Sequence, residues 1–221
     1  MPPAGQIDFS QLPIYLPEVE CTPRERLRAI QLAKLIEQVG YTYRNVPWYR
    51  RQMDEMGVSP ADIRTLDDVR KLPFTDKAAL RETFPFGMFA VPMTDIVEMH
   101  ASSGTTGKPI VVGYTAADMD VWSECIARLA QMAGVTADDR VQMAFGYGMF
   151  TGGFGLHYGI QRIGGMMIPA GAGNTERHIQ MIQDYGTTTL IATPSYAMHI
   201  CEVGEEMGFD WASSTLQIGL F

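Results

Sequence analysis

Val141-Gln142-Met143-Ala144-Phe145 is a run of strand length. It passes directly into Gly146-Tyr147-Gly148-Met149-Phe150-Thr151-Gly152-Gly153-Phe154-Gly155-Leu156-His157-Tyr158-Gly159. A strand, a glycine-rich turn and a helix around Gly153–Ile163 make the first half of a βαβ unit, and the chain then repeats the alternation. Met166–Pro169 reads as a short strand, and Asn174 or Thr175 opens a helix to Tyr185. Thr189–Ala192 is a strand, Pro194–Met207 a helix and Leu216–Phe221 a last strand. This spacing implies right-handed crossovers and a mostly parallel sheet with helices on its faces. In such sheets ligands bind beyond the carboxyl ends of the strands, and the glycine–aromatic run leaves one of those ends. Its rings offer flat apolar walls and its glycines leave room beside them, which suits a planar apolar ligand. The alternative is an aromatic core packed closely through glycines. Gly146-Tyr147-Gly148 opens a G-x-G, but Thr151 stands where a dinucleotide fingerprint needs glycine.

Working upstream, Ser102-Ser103-Gly104-Thr105-Thr106-Gly107-Lys108-Pro109 lies between two apolar runs, Ile96–His100 and Ile110–Tyr114, which read as hairpin partners. Glycines let the backbone approach a ligand, and successive N–H groups in a tight loop form an anion-binding concavity. Four hydroxyls and the Lys108 ammonium can converge on the same oxyanion. The loop is not a Walker P-loop, which would need Gly at 102 and Ser or Thr at 109. Downstream, Thr115 with Asp118 caps a helix whose apolar stripe is Met119, Trp122, Ile126, Leu129 and Ala133, ended by Gly134.

The expected fold class is thus α/β: an N-terminal helical segment, 1–91, followed by an α/β subdomain, 92–221. In the first part, residues 1–21 are Pro-rich and extended. Thr22 as N-cap, Pro23 and Glu25 open a helix with Ala29, Leu32, Ala33, Ile36 and Val39 on one face. Gly40 is a candidate terminator, with continuation to Pro47 the alternative. Short helices are expected over Trp48–Met56 and Asp76–Glu82.

The chain has 221 residues, 46% hydrophobic and 19% charged, with a formal net charge of −8. A net acidic chain argues against nucleic acid or an anionic membrane as partner. An anionic ligand must then be met by local donors. Cys21, Cys125 and Cys201 fit no disulfide framework and no zinc spacing, so reduced structural thiols are expected. Met1-Pro2-Pro3-Ala4-Gly5 lacks the basic and apolar regions of a secretory leader, and the expected compartment is cytoplasmic. The fifteen methionines are read as adaptable core filling.

Other candidates are weaker. His100, His157, His178 and His199 are scattered, with His157 read as a packed residue and His178 and His199 as helical bystanders; there is no Gly-x-Ser-x-Gly elbow. Asp138 and Asp139 precede a strand and read as turn residues rather than a metal site. Thr193-Pro194-Ser195-Tyr196 marks a strand-to-helix switch facing the expected crevice.

The run His100–Pro109 resembles the phosphate-binding loop of the AMP-forming acyl-adenylating enzymes. With Val112-Gly113-Tyr114-Thr115, the 145–159 run, Asn45–Arg50 and Leu72–Lys77, the chain resembles the phenylacetate–coenzyme A ligase family over nearly its whole length. The resemblance implies ATP, Mg2+ and coenzyme A as cofactors and an aromatic carboxylic acid as substrate. It places the ATP phosphates on Ser102, Ser103, Gly104, Thr105, Thr106, Gly107 and Lys108, with Lys108 and Thr105 catalytic. Phe145, Tyr147, Phe150 and Gly152 would surround the acid. Phe145 stands where members associated with phenylacetate carry Tyr, so other aryl acids stay open. The same resemblance implies that this is the front part of a longer chain, unable to complete the reaction alone. Adenine, ribose and Mg2+ ligands and a C-terminal lysine would follow Phe221. An adenylyltransferase acting on another aromatic acid or a deazaflavin coenzyme is the neighbouring reading, and a non-catalytic partner or regulatory module is the reading from another class. A homodimer is left open.

Overall fold

The computed structural model describes residues 13–102, 109–149 and 151–221. They form two compact units, one of residues 21–118 and one of residues 119–221 with the opening segment up to Glu20. The division thus falls downstream of Val91, and the hairpin that follows the helices groups with them. A single turn, α1 (Pro17–Glu20), precedes the first unit.

In the helical unit, α2 spans Arg24–Asn45. The cap position is Pro23, with extended backbone (ψ 143°), rather than the expected Thr22. Gly40 does not end the helix; it is buried within it, and a Cβ there would lie 3.1 Å from the Arg44 guanidinium. The stop comes from Pro47. A residue before proline is driven out of the helical region, and Val46 takes φ −115° and ψ 103°. Pro47 then supplies the first residue of α3 (Pro47–Glu55), a position that needs no N–H. Val39, Met53 and Ile63 form one small core, and Val46, Trp48 and Ala79 another. The connecting turns are stapled by reciprocal caps, Ser59 with Asp62 and Thr65 with Asp68. Asp76 accepts a 2.8 Å hydrogen bond from the Ala79 N–H to open α4 (Lys77–Glu82). Strands β1 (Ile96–Ala101) and β2 (Val111–Thr115) pair antiparallel, with Ala101 opposite Val111.

The Thr115–Asp118 cap is formed: the Asp118 carboxylate accepts from the Thr115 N–H at 2.8 Å and from its hydroxyl at 2.7 Å. Helix α5 (Ala116–Met132) follows. Its buried residues are Ala127 and Ala130, while Leu129, expected on the inner stripe, is 46% exposed. The helix turns its small residues inward because α6 (Thr151–Ile163) comes very close. A Cβ on Gly155 would lie 2.6 Å from the Trp122 indole, and one on Gly159 would lie 2.3 Å from Ile126 Cγ2.

The sheet has the order β4-β3-β5-β6, built from β3 (Arg140–Met143), β4 (Met166–Ile168), β5 (Thr189–Ile191) and β6 (Ile218–Leu220), all parallel. This is the α/β class expected. Strand residues alternate between faces. Val141, Met143 and Ile191 meet Ala130 and Ile160 on the α5–α6 side. Ala144, Leu190 and Ala192 meet Ile179, Ile182, Ala197 and Ile200 on the side of α7 (Thr175–Tyr185) and α8 (Pro194–Glu206). The methionines divide: Met53, Met143 and Met181 are buried, whereas Met149, Met166, Met198 and others are exposed, so core filling accounts for only some of them. All three cysteines are free and exposed rather than structural. No helix among the described residues is long and apolar enough to cross a membrane.

Candidate functional site

The strand order creates a topological switch at β3. The chain reaches β4 on one side of it through α6 and returns to β5 on the other side through α7, and these helices lie on opposite faces. The crevice beyond the carboxyl end of such a strand is where open α/β sheets bind ligands. Three segments leave the carboxyl ends of the strands there: 144–149 after β3, 169–174 after β4 and 192–193 after β5, leading into α8.

The first segment carries Phe145 and Tyr147, both half-buried against the α5–α6 core. The Tyr147 hydroxyl lies 3.1 Å from His157 Nδ1, and its ring meets Phe154 edge-on at 5.2 Å. Burial raises the Tyr147 phenol above its ordinary value and holds the His157 imidazole below its own. His157 on α6 therefore holds the loop from behind, as a packed residue. The glycines divide into two kinds. Gly153, Gly155 and Gly159 are packing contacts, the first leaving only 2.9 Å between a Cβ and the Gly146 carbonyl. Gly152 and Gly148 have nothing within 4 Å of a Cβ. Close packing through glycine thus accounts for Gly153, Gly155 and Gly159 and not for Gly148 or Gly152. Phe150 lies outside the described residues.

The second segment is tied to the end of β3: the Gly171 N–H donates to the Met143 carbonyl at 2.9 Å. A Cβ on Gly146 would lie 3.9 Å from that of Ala172. Behind it sits a buried polar network that sequence reasoning did not find. Gln142 and His178 are 0% and 2% exposed. Gln142 Nε2 donates to His178 Nδ1 at 2.9 Å and to the His178 carbonyl at 3.1 Å, while its Oε1 accepts from Thr187 Oγ1 at 2.8 Å. The third segment holds Thr193, which caps α8 by accepting from the Tyr196 N–H at 3.3 Å.

In the helical unit, the foot of the 102–109 loop is an antiparallel closure. The Ser102 N–H donates to the Ile110 carbonyl and the Ile110 N–H to Ser102 Oγ, both at 2.9 Å. Buried His100 pairs with Glu98 at 2.6 Å two residues earlier. Ser103, Gly104, Thr105, Thr106, Gly107 and Lys108 lie outside the described residues. His199 is exposed near Glu202. Asp139 is a turn staple at the opposite, amino end of β3, accepting from Thr188 Oγ1 at 2.6 Å and from the Thr136 N–H at 2.7 Å. Burial pushes its carboxyl up, but these hydrogen bonds outweigh it and leave the group below its ordinary value. Among the described residues no group of three His, Cys, Asp or Glu could hold a metal.

A cavity of about 800 Å³ in the helical unit is lined by Lys34, Tyr41, Arg44 and Val111, and one of about 420 Å³ in the sheet unit by Ile179, Phe209 and Asp210. Neither reaches the glycine–aromatic run. The first is rimmed by both charge signs, Lys34 and Arg44 with Glu37 and Asp118, so it marks out no ionic ligand.

No protein-family profile matches the chain. It is 46% identical over 206 residues to a phenylacetate-coenzyme A ligase of Aromatoleum evansii, covering 93% of this chain and 47% of the relative. Phenylacetate-coenzyme A ligases of Escherichia coli and Thermus thermophilus are 44% and 47% identical over 93% and 88% of this chain. The chain spans about half the length of the curated relatives it matches. Among solved structures, a 2-hydroxyisobutyryl-CoA ligase in complex with 2-HIB-AMP and CoA superposes with a TM-score of 0.87 at 28% identity. That match covers 96% of this chain and 47% of the other.

Proposed function

We infer that this chain, a relative of the phenylacetate-coenzyme A ligases, supplies the phosphate and acid sites of an AMP-forming aryl acid–coenzyme A ligase. The observation that carries this reading is the 43–47% identity to four such ligases across 88–93% of the chain. In the proposed reaction the acid's carboxylate attacks the α-phosphate of ATP, giving an acyl-adenylate and pyrophosphate. The thiol of coenzyme A then displaces AMP.

Ser102 to Lys108 bind the β- and γ-phosphates, and Lys108 and Thr105 stabilise the charge that builds on leaving pyrophosphate. Donors fixed in place before the reaction are worth most there. The antiparallel closure at Ser102 and Ile110 sets the two ends of this loop. Phe145, Tyr147, Phe150 and Gly152 take the aromatic ring; the switch point at β3, where open α/β sheets bind ligands, supports this reading. Mg2+ is carried by the nucleotide: such ions sit on substrate phosphates with one or two carboxylates and several waters. When bound it neutralises phosphate charge. Coenzyme A, the cytoplasm and a need for sequence beyond these residues belong to the same proposal.

ATP–pyrophosphate exchange by the full-length gene product, run across phenylacetate, indoleacetate and benzoate derivatives, tests it. Exchange that depends on an aryl acid supports the ligase. Exchange without subsequent thioester would instead indicate an adenylyltransferase, and thioester formation by the isolated 221 residues would contradict the expected need for further chain.

A further inference from the structure

Tyr147 stands between Gly146 and Gly148, the second at φ 24°. Glycine on both sides leaves the backbone little stiffness with which to fix the ring, so the ring is fixed by its own contacts. One side of α6 supplies them. Gly153, Phe154 and His157 stand three and four residues apart on that helix and so share a face. A Cβ on Gly153 would lie 3.6 Å from Tyr147 Cα, which puts the helix backbone against the loop. The Phe154 ring meets the Tyr147 ring edge-on at 5.2 Å, and the His157 ring does so at 5.7 Å. The phenol oxygen ends 3.1 Å from His157 Nδ1. This face is anchored to α5 in turn. Tyr158 stacks on Phe154 at 6.0 Å and lies edge-on to His157 at 5.9 Å and to Trp122 at 6.0 Å.

The direction of the hydrogen bond follows from acid strength. A phenol titrates near 10, whereas the N–H of a neutral imidazole is a far weaker acid, and its bare ring nitrogen is a better acceptor than a phenol oxygen. The Tyr147 hydroxyl therefore donates, His157 Nδ1 accepts, and the ring proton is on Nε2. Burial acts in the same sense, keeping the phenol protonated and the imidazole neutral.

We propose that His157 is a positioning residue for the acid site: its Nδ1 tethers the Tyr147 hydroxyl to α6 and so holds the Tyr147 ring where it meets the aryl group. This rests on the proposed acid site. A ring already held loses little further rotamer freedom when the acid binds. The tether thus acts on acid binding, not on ATP binding or on the chemical step.

The test compares wild type, Tyr147→Phe, His157→Leu, the double variant and His157→Asn as full-length gene product. ATP–pyrophosphate exchange is measured with the unfolding midpoint alongside. Tyr147→Phe and His157→Leu each remove the tether, so each should raise the aryl-acid KM about fivefold, the worth of one net hydrogen bond. The kcat and the KM for ATP should change little. Because both remove the same tether, the double variant should also stand at about fivefold, against about 25-fold for independent effects. His157→Asn keeps an acceptor near the Nδ1 position and should return the acid KM to near wild type. A His157→Leu protein with a lowered midpoint and an unchanged acid KM would make His157 a packing residue only and overturn the proposal. A double variant near 25-fold, or His157→Asn no better than His157→Leu, would overturn it too. Tyr147→Phe is the mildest change and decides alone where the leucine variants do not fold: an unchanged acid KM overturns the proposal. A wild type without acid-dependent exchange sinks the ligase reading and this proposal with it, whereas wild-type exchange with independent variants sinks this proposal alone.

Discussion

Gly159→Ala is the substitution whose cost can be worked from geometry. The added Cβ would sit 2.3 Å from Ile126 Cγ2, 2.6 Å from Ile126 Cβ and 3.0 Å from the Ala127 backbone nitrogen. Carbon atoms in contact prefer about 3.5–4.0 Å. Rotating Ile126 moves its Cγ2 but not its Cβ, so the clash is relieved only by separating α5 from α6. That opens the layer where Ala127, Ala130 and Ile160 are all fully buried. Overpacking of this kind costs about 1–3 kcal/mol, and the closeness of a Cβ and a backbone atom places Gly159 at the upper end. Alanine in a helix interior returns about 1 kcal/mol over glycine. The net is about 2 kcal/mol, which for a chain of this size lowers Tm by about 4–8 °C. Urea and thermal unfolding of the 221-residue chain measure it. Gly152→Ala is the control: with nothing within 4 Å it should be neutral or stabilising by up to about 1 kcal/mol. A Gly159→Ala protein that unfolds at or above the wild-type midpoint would refute the reading of these glycines as packing contacts.

Other outcomes follow from the same structure. Gly152→Ala, harmless to stability, should raise the aryl-acid KM in pyrophosphate exchange if the open glycines admit the ring; an unchanged KM removes Gly152 from the acid site. Lys108→Ala should slow exchange about 10²–10³-fold, as loss of one preorganised donor does, with the unfolding midpoint unchanged. His157 and His178 are both held below their ordinary value by burial. Above pH of about 6.5 neither state of the protein protonates them, whereas below it the unfolded chain binds protons that the native state refuses. The urea midpoint should therefore fall between pH 7.5 and 5.5, and His178→Gln should flatten that slope. Asp139→Ala removes the acceptor of Thr188 Oγ1 and of the Thr136 N–H; it should destabilise by about 1–3 kcal/mol and leave exchange kinetics alone.

Much of this architecture is legible in the chain because its punctuation is local. Pro47, the Thr115–Asp118 pair, Asn174 and Thr193–Pro194 each fix a boundary through groups within four residues of one another. The strands are legible for the same reason, being short apolar runs between such signals. What is not legible depends on partners distant in sequence. Gln142 reads as one polar residue in an apolar strand, because Thr187 and His178, which satisfy it, stand 45 and 36 positions away. His178 reads as a bystander on a helix for the same reason. The jobs of the glycines between 146 and 159 could not be separated either: the run is uniform, and only the approach of Trp122 and Ile126 distinguishes Gly155 and Gly159 from Gly152. The inward face of α5 was misread because helix periodicity favours Leu129 over Ala130, and close approach of a glycine-bearing helix reverses that preference. The residues at 103–108 were the most informative in the sequence and lie outside the described structure, so their proposed role rests on composition and resemblance alone.

The most direct test of an acid-adenylating site is ATP–pyrophosphate exchange by the full-length gene product with a panel of aryl acids, wild type against Lys108→Ala. The account predicts exchange that requires an aryl acid and falls at least about 100-fold in the variant. No exchange with any carboxylate, or exchange indifferent to Lys108, would contradict it.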